Sequence, residues 1–216
     1  MVDQNAVMIS FMPSVTVDRE DVVFDGGVPT DPAKVYELLM GVLAEQGRVV
    51  VEFVVDGVDS LREENEPKTF ETIEVATQTH HELTLRLIME TMKHLVHAEE
   101  EFLAYSVNVL KTPWSQVFGQ MEQLIEKIKP FAELLDNLNP YAQTYLPEWK
   151  EKFEQISEKQ AGSLDKILLA FEQGSPANLS EELATDFLSV FKEGTRLLRD
   201  EVIPDLKKKV TEGASR

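Results

Sequence analysis

Apolar residues along this chain change their rhythm near residue 78. Before it they fall in short clusters. Val7 to Met12 is an apolar run broken by Pro13, and Val15-Thr-Val and Val22-Val-Phe flank the charged turn Asp18 to Asp21. Two strands in a hairpin are expected there, with Asp25-Gly-Gly closing the second. Thr30 then predicts a helix cap with Asp31 and Pro32 in the first turn, where both residue types are favoured. Val35, Leu38, Leu39, Val42 and Leu43 recur at helical spacing up to Gly47. Val49 to Val55 is the most β-prone run of the chain, and Asp56-Gly57 directly after it is a turn signal. Val58 to Leu61 reads as a short return strand and Arg62 to Lys68 as a solvated loop. Phe70 to Val75 reads as a last strand that feeds a long helix.

From Thr79 the period is helical throughout. Thr79 to Lys111 holds no Gly or Pro, and a helix of that length spans roughly 50 Å. Leu85, Ile88, Met92, Leu95, Glu99, Phe102, Ser106 and Val109 step by three and four, while Met89, Val96, Leu103 and Leu110 widen the stripe to the breadth of a bundle face. Thr112-Pro113 opens a second helix with the stripe Trp114, Val117, Met121, Leu124, Ile128, Phe131, Leu135 and Leu138. Pro130 is expected to kink or split it near Lys129, and Asn139-Pro140 to end it before a short turn over Tyr141 to Leu146. Pro147 opens a third helix that ends at Gly174-Ser-Pro. Asn178 with Glu181, or Ser180, is expected to cap the last, with a second kink at Pro204.

These patterns predict an α+β protein. Residues 1–78 form a small β-grasp-like ββαββ sheet with one helix on one face, residues 79–210 an antiparallel four-helix bundle, and residues 211–216 a disordered tail. The β-grasp comparison rests on element order alone. The long helix from Thr79 is expected to couple the two parts mechanically.

Charge narrows the range of partners. The net charge is −18. In residues 1–78, five basic residues against sixteen acidic leave −11, and the other 138 residues carry −7. A chain this acidic repels phosphate backbones and anionic lipid, so neither nucleic acid nor a membrane surface is an expected partner. Lys207-Lys208-Lys209 suits the negative end of a helix dipole. The acidic stretches Asp18 to Asp21 and Glu63 to Glu66 read as solvated surface, or as contacts for a basic protein. No apolar run approaches the ~18 residues of a membrane span. The first residues do not resemble a signal peptide, and cysteine is absent. A cytoplasmic protein is expected.

The four histidines invite a metal reading. Carboxylate-bridged di-iron bundles use Glu-x-x-His pairs from two helices. No such pair occurs here, and no histidine follows His97. On a continuous helix Glu90, His94, His97 and Glu101 share the face opposite the apolar stripe. That is a solvated polar face or, more sharply, an exposed clamp for zinc or nickel. His80-His81-Glu82 marks the helix start as cap and hinge. Histidine there is also suited to acid–base work with Glu71 or Glu74, but no nucleophile, oxyanion hole or phosphate loop accompanies it. Glu99 on the stripe calls for a cation such as Arg196 or Lys159 if buried. Gly119, Gly162 and Gly194 lie mid-helix, where close helix approach or simple tolerance accounts for them.

With no catalytic constellation and no cofactor motif, the sequence predicts a non-enzymatic interaction or assembly protein that binds another protein or itself as a homodimer. The alternative is a ligand- or metal-binding regulatory protein with its site between sheet and bundle.

Overall fold

A computed structural model describes residues 13–62 and 68–213. The apolar run Val7 to Met12 and most of the acidic loop before Lys68 lie outside the described residues. The fold is mixed α+β and divides into two compact units between His80 and His81.

The first unit is a five-stranded mixed sheet with one helix. Strands β1 (Ser14–Val17), β2 (Glu20–Asp21), β3 (Arg48–Val55), β4 (Val58–Asp59) and β5 (Thr72–Thr79) lie in the order β2-β1-β5-β3-β4. β1 runs parallel to β5 and the other neighbours are antiparallel. The short return strand pairs as β4, so the sheet has five strands rather than the four expected. The first hairpin turns on Asp18 and Arg19, both at positive φ (51° and 72°), as a two-residue I′ turn requires. That turn sets Val17 opposite Glu20. The second strand is therefore Glu20–Asp21 and not Val22 to Phe24.

Helix α1 (Pro32–Glu45) lies between β2 and β3 in the chain and buries Val35, Leu39 and Leu43. They pack in one cluster with Val15, Val50, Phe53, Val55, Ile73 and Val75 of the sheet. Its cap is Asp31 rather than Thr30, because Pro32 takes the first helical position and leaves the residue before it to accept the Ala33 N–H at 3.0 Å. Two carboxylates brace the sheet. Asp18 accepts the Thr77 N–H (2.8 Å), the Thr77 hydroxyl (2.6 Å) and an Arg48 N–H (2.8 Å). Asp56 accepts the N–H groups of Glu71 and Thr72 (3.0 and 2.8 Å).

The second unit is helical, and β5 runs into it with no intervening loop. The helix expected from Thr79 to Lys111 is two: α2 (His80–His94) and α3 (Ala98–Val109), with a turn between them closed by the Ala98 N–H on the Leu95 carbonyl. Neither Gly nor Pro causes the break. A straight α-helix falls about 20° behind a seven-residue repeat in each heptad. Winding at three residues per turn gains about 20° per residue. Ile88, Leu95, Phe102 and Val109 are all buried across the break.

α4 (Trp114–Gly119) and α5 (Met121–Tyr145) follow. Neither Pro130 nor Pro140 ends α5; both lie inside it. An interior proline costs ~3 kcal/mol. Against that, the helix buries Leu134, Leu135, Leu138, Tyr141 and Ala142 around Pro140, at about 1.5–3 kcal/mol for each large side chain. α6 (Lys150–Glu172) comes next.

The last helix starts at Pro176, capped by the Ser175 hydroxyl on the Asn178 N–H, so Ser175 takes the role expected of Asn178 or Ser180. It runs as α7 (Pro176–Glu182), α8 (Leu188–Leu197) and α9 (Ile203–Gly213), with π-helical turns at Leu183–Phe187 and Leu198–Val202. The second π turn sits directly before Pro204, where a kink was expected. α9 carries three residues into the expected tail, where the Thr211 hydroxyl bonds the Lys207 carbonyl.

α6 and the last helix run antiparallel, laced by Lys152–Glu201 (2.6 Å), Lys159–Glu193 (2.8 Å) and Lys166–Asp186 (2.5 Å). The lysines are spaced seven and seven, the acids eight and seven. A π turn, with its i→i+5 bond, takes up the extra residue between Glu193 and Glu201. Aromatic edges build the core beneath: Phe102 meets Phe187 and Phe191 at 5.0 and 5.3 Å, and Phe131 meets Phe191 at 5.0 Å. Gly194 is where the helices close in, since a Cβ there would lie 2.5 Å from the tip of the Phe131 ring. Nothing lies within 4 Å of the corresponding position at Gly119 or Gly162.

Candidate functional surface

The four residues of the expected polar clamp are all exposed but sit on different elements. Glu90 and His94 lie on α2, His97 in the turn and Glu101 in the first turn of α3. Glu101 is engaged by Lys127 at 2.5 Å. Among the described residues, no three His, Asp or Glu side chains come together in a group able to hold a metal ion.

His80 is exposed at the start of α2. His81 is half-buried, with Nδ1 2.7 Å from the Tyr141 hydroxyl and its ring 4.8 Å from that of Tyr145. Tyr141 stacks on Trp149 (6.1 Å, 5° between planes). The Trp149 indole N–H and the Lys209 ammonium both donate to Asp205 Oδ2 at 3.0 Å, and Lys209 lies 6.0 Å over the Tyr141 ring. Burial pushes the Tyr141 phenol well above its ordinary pKa, and the charges of Asp205 and Tyr145 add to the effect. Ionisation of this phenol is thereby disfavoured, and the direction of its hydrogen bond with His81 Nδ1 follows the His81 tautomer. The network joins the start of α2, the end of α5, the start of α6 and α9, which is a structural task. Tyr141 and Tyr145 are spaced by four on α5, a helical signal hidden by treating Pro140 as a helix end, while Trp149 follows the left-handed Leu146 and caps α6.

Glu99 is exposed and pairs with Lys192 at 2.7 Å, not with Arg196 or Lys159. The buried Ser106 hydroxyl donates to the Leu103 carbonyl within its own helix. In the first unit a cavity of about 620 Å³ is lined by Asp31, Pro32, Tyr36, Phe53, Ser60 and Leu61, among others. Asp31 is already the α1 cap, and Lys68 lines the same cavity as the Ser60 hydroxyl.

The outward face of α2 and α3 is different in kind. Met89, Val96, Leu103 and Leu110 step by sevens along it, with Val107 beside them, and each is 40–68% exposed. The residues one position earlier, Ile88, Leu95, Phe102 and Val109, are all 5% exposed or less. Single exposed apolar side chains are ordinary, whereas an aligned series of five is a surface lacking a cover. No helix among the described residues is long and apolar enough to cross a membrane. Comparison with known proteins returns no matching family model, no matching curated protein and no matching solved structure.

Proposed function

We propose that this is a non-catalytic interaction or assembly protein, cytoplasmic, whose partner-binding surface is the outward face of α2–α3. The exposed heptad-spaced series Met89, Val96, Leu103, Leu110 carries this reading. Burying such side chains against a partner gains about 25 cal/mol per Å² of apolar area. The perturbed titratable groups fit the same reading. Asp18, Asp56 and Tyr141 are tied into the fold by hydrogen bonds and aim at no common reacting position.

Two finer readings of the fold accompany it. The sheet order with its parallel β1/β5 centre and α1 between the hairpin and β3 supports a β-grasp unit. The antiparallel ladder between α6 and the last helix, with α2–α3 and α4–α5 as two further rods, supports an antiparallel four-helix bundle.

A photo-crosslinking amino acid placed at Leu103 or Val107 in the native cell tests the function. Adducts from both positions, with none from the exposed Gln123 on α5, are expected. Equal yields from all three positions, or no adduct at all, would reject the proposal.

A further inference from the structure

The cavity of the first unit lies between the start of α1 and the β3–β4 hairpin, and its wall divides by chemistry. Pro32, Tyr36, Phe53 and Leu61 make an apolar part. Within it the rings of Tyr36 and Phe53 meet edge to face at 5.1 Å. Asp31, Ser60 and Lys68 make a polar part. The charges nearby are not equally engaged. Asp59 is held by Arg62 at 3.1 Å and by the Leu61 N–H at 3.2 Å. Asp31 accepts the uncharged Ala33 N–H, and Lys68 is exposed. Among the described residues neither has an ion pair, with the other or with any third group. One carboxylate and one ammonium thus line a single cavity, neither of them neutralised. The Ser60 hydroxyl oxygen is buried in the same wall without a hydrogen-bond partner, a state that costs stability until something bonds to it.

From this we infer that the cavity binds a zwitterionic α-amino acid with a large apolar side chain. Its ammonium pairs with Asp31, its carboxylate with Lys68 and the Ser60 hydroxyl, and its side chain packs against Tyr36 and Phe53. Each feature disfavours a simpler ligand. A plain cation meets Lys68. A plain anion meets Asp31, in a unit whose five basic against sixteen acidic residues leave −11. A zwitterion has no net charge for that field to repel. A small polar zwitterion leaves the aromatic wall unused, whereas a ring gains from edge-to-face packing there. The cavity, about 620 Å³, falls within the range of about 300–1,000 Å³ usual for small-molecule sites. The first unit builds this site alone, and it does not depend on the α2–α3 face.

Isothermal titration of the purified full chain with L-phenylalanine tests this. Phenylalanine is expected to bind at a single site. N-acetylphenylalanine lacks the ammonium and phenylalaninamide lacks the carboxylate. Each is expected to bind roughly tenfold more weakly, as the loss of one charge-assisted hydrogen bond implies. Glycine should bind more weakly still. Lys68→Met should abolish the discrimination against the amide and keep that against the N-acetyl compound. Asp31→Asn, which keeps a capping side chain on α1, should do the reverse. Lys68 is exposed, so the thermal melt of Lys68→Met should match wild type. If Asp31→Asn disturbs folding, Lys68→Met and the analogues on the wild type decide the matter. Absence of phenylalanine binding, an analogue or glycine that binds as tightly as phenylalanine, or a Lys68→Met variant that still discriminates against the amide would each overturn the inference.

Discussion

Two apolar series run along α2 and α3 one residue out of step, and their surroundings differ. Ile88, Leu95, Phe102 and Val109 are closed into the core, while Met89, Val96, Leu103 and Leu110 face outward and stay exposed. Both step by sevens and both are aliphatic or aromatic at nearly every position. Adjacent residues on a helix point about 100° apart, so only the inner series can meet the helices packed against α3. The difference teaches that periodicity identifies a face suited to burial without saying what buries it. The inner face is satisfied within the chain, and the outer one is the part we assign to a partner.

The largest test of that contrast is a pair of truncations at neighbouring residues. Phe102→Ala should destabilise the protein by about 3–5 kcal/mol, whereas Leu103→Ala should stay within about 0.5 kcal/mol under monomeric conditions. Denaturant midpoints measure both. Comparable losses at the two sites would mean that the outer series is also core.

Next in size is a pair of glycines. Gly194→Ala forces a methyl into the Phe131 ring, which is itself fully buried, and should cost about 1–3 kcal/mol. Gly162→Ala adds its methyl to open space in the middle of α6 and should gain up to ~1 kcal/mol from helix propensity. Thermal melts of the two variants should move in opposite directions.

The smallest effect belongs to the surface pairs. Hydrogen bonding from Lys166 holds the Asp186 carboxyl below its ordinary 3.8. Burial pushes Asp18 up, but the Thr77 hydrogen bonds and Arg48 together hold it below 3.8 as well. Both therefore contribute fully above pH 3.8 and lose that contribution as the pH falls through their lowered values. Lys166 is raised by the same pairing with Asp186, so its share persists below its ordinary 10.5 and is lost only as the pH rises beyond it. A Lys166→Met variant should show a shallower loss of stability on acidification below pH 4 than wild type. A parallel loss in the two proteins would show that this rung contributes nothing.

The main elements of both units were legible in the sequence because they rest on local signals. The Asp56-Gly57 turn, the valine run of β3 and the inner heptad of α2–α3 are examples. What escaped was decided by packing or by helix winding. Nothing in Leu95-Val96-His97 announces a break, since neither Gly nor Pro marks it. Pro140 reads as a stop, yet the side chains around it are buried and carry the helix through. Pro204 is met by a π turn upstream of it. The candidate chemistry was the least legible part. Glu90, His94, His97 and Glu101 do not come together as a metal-holding group, and Glu101 is taken by Lys127. His81 meets Tyr141 sixty residues away, a distance no local spacing encodes.

Photo-crosslinking from Leu103 in the native cell, beside the same probe at Gln123, tests the central claim most directly. Adducts should form from Leu103 and not from Gln123, and Val96→Asp should remove them with an unchanged circular dichroism spectrum. Equal yields at the two positions, or adducts that survive Val96→Asp, would contradict it.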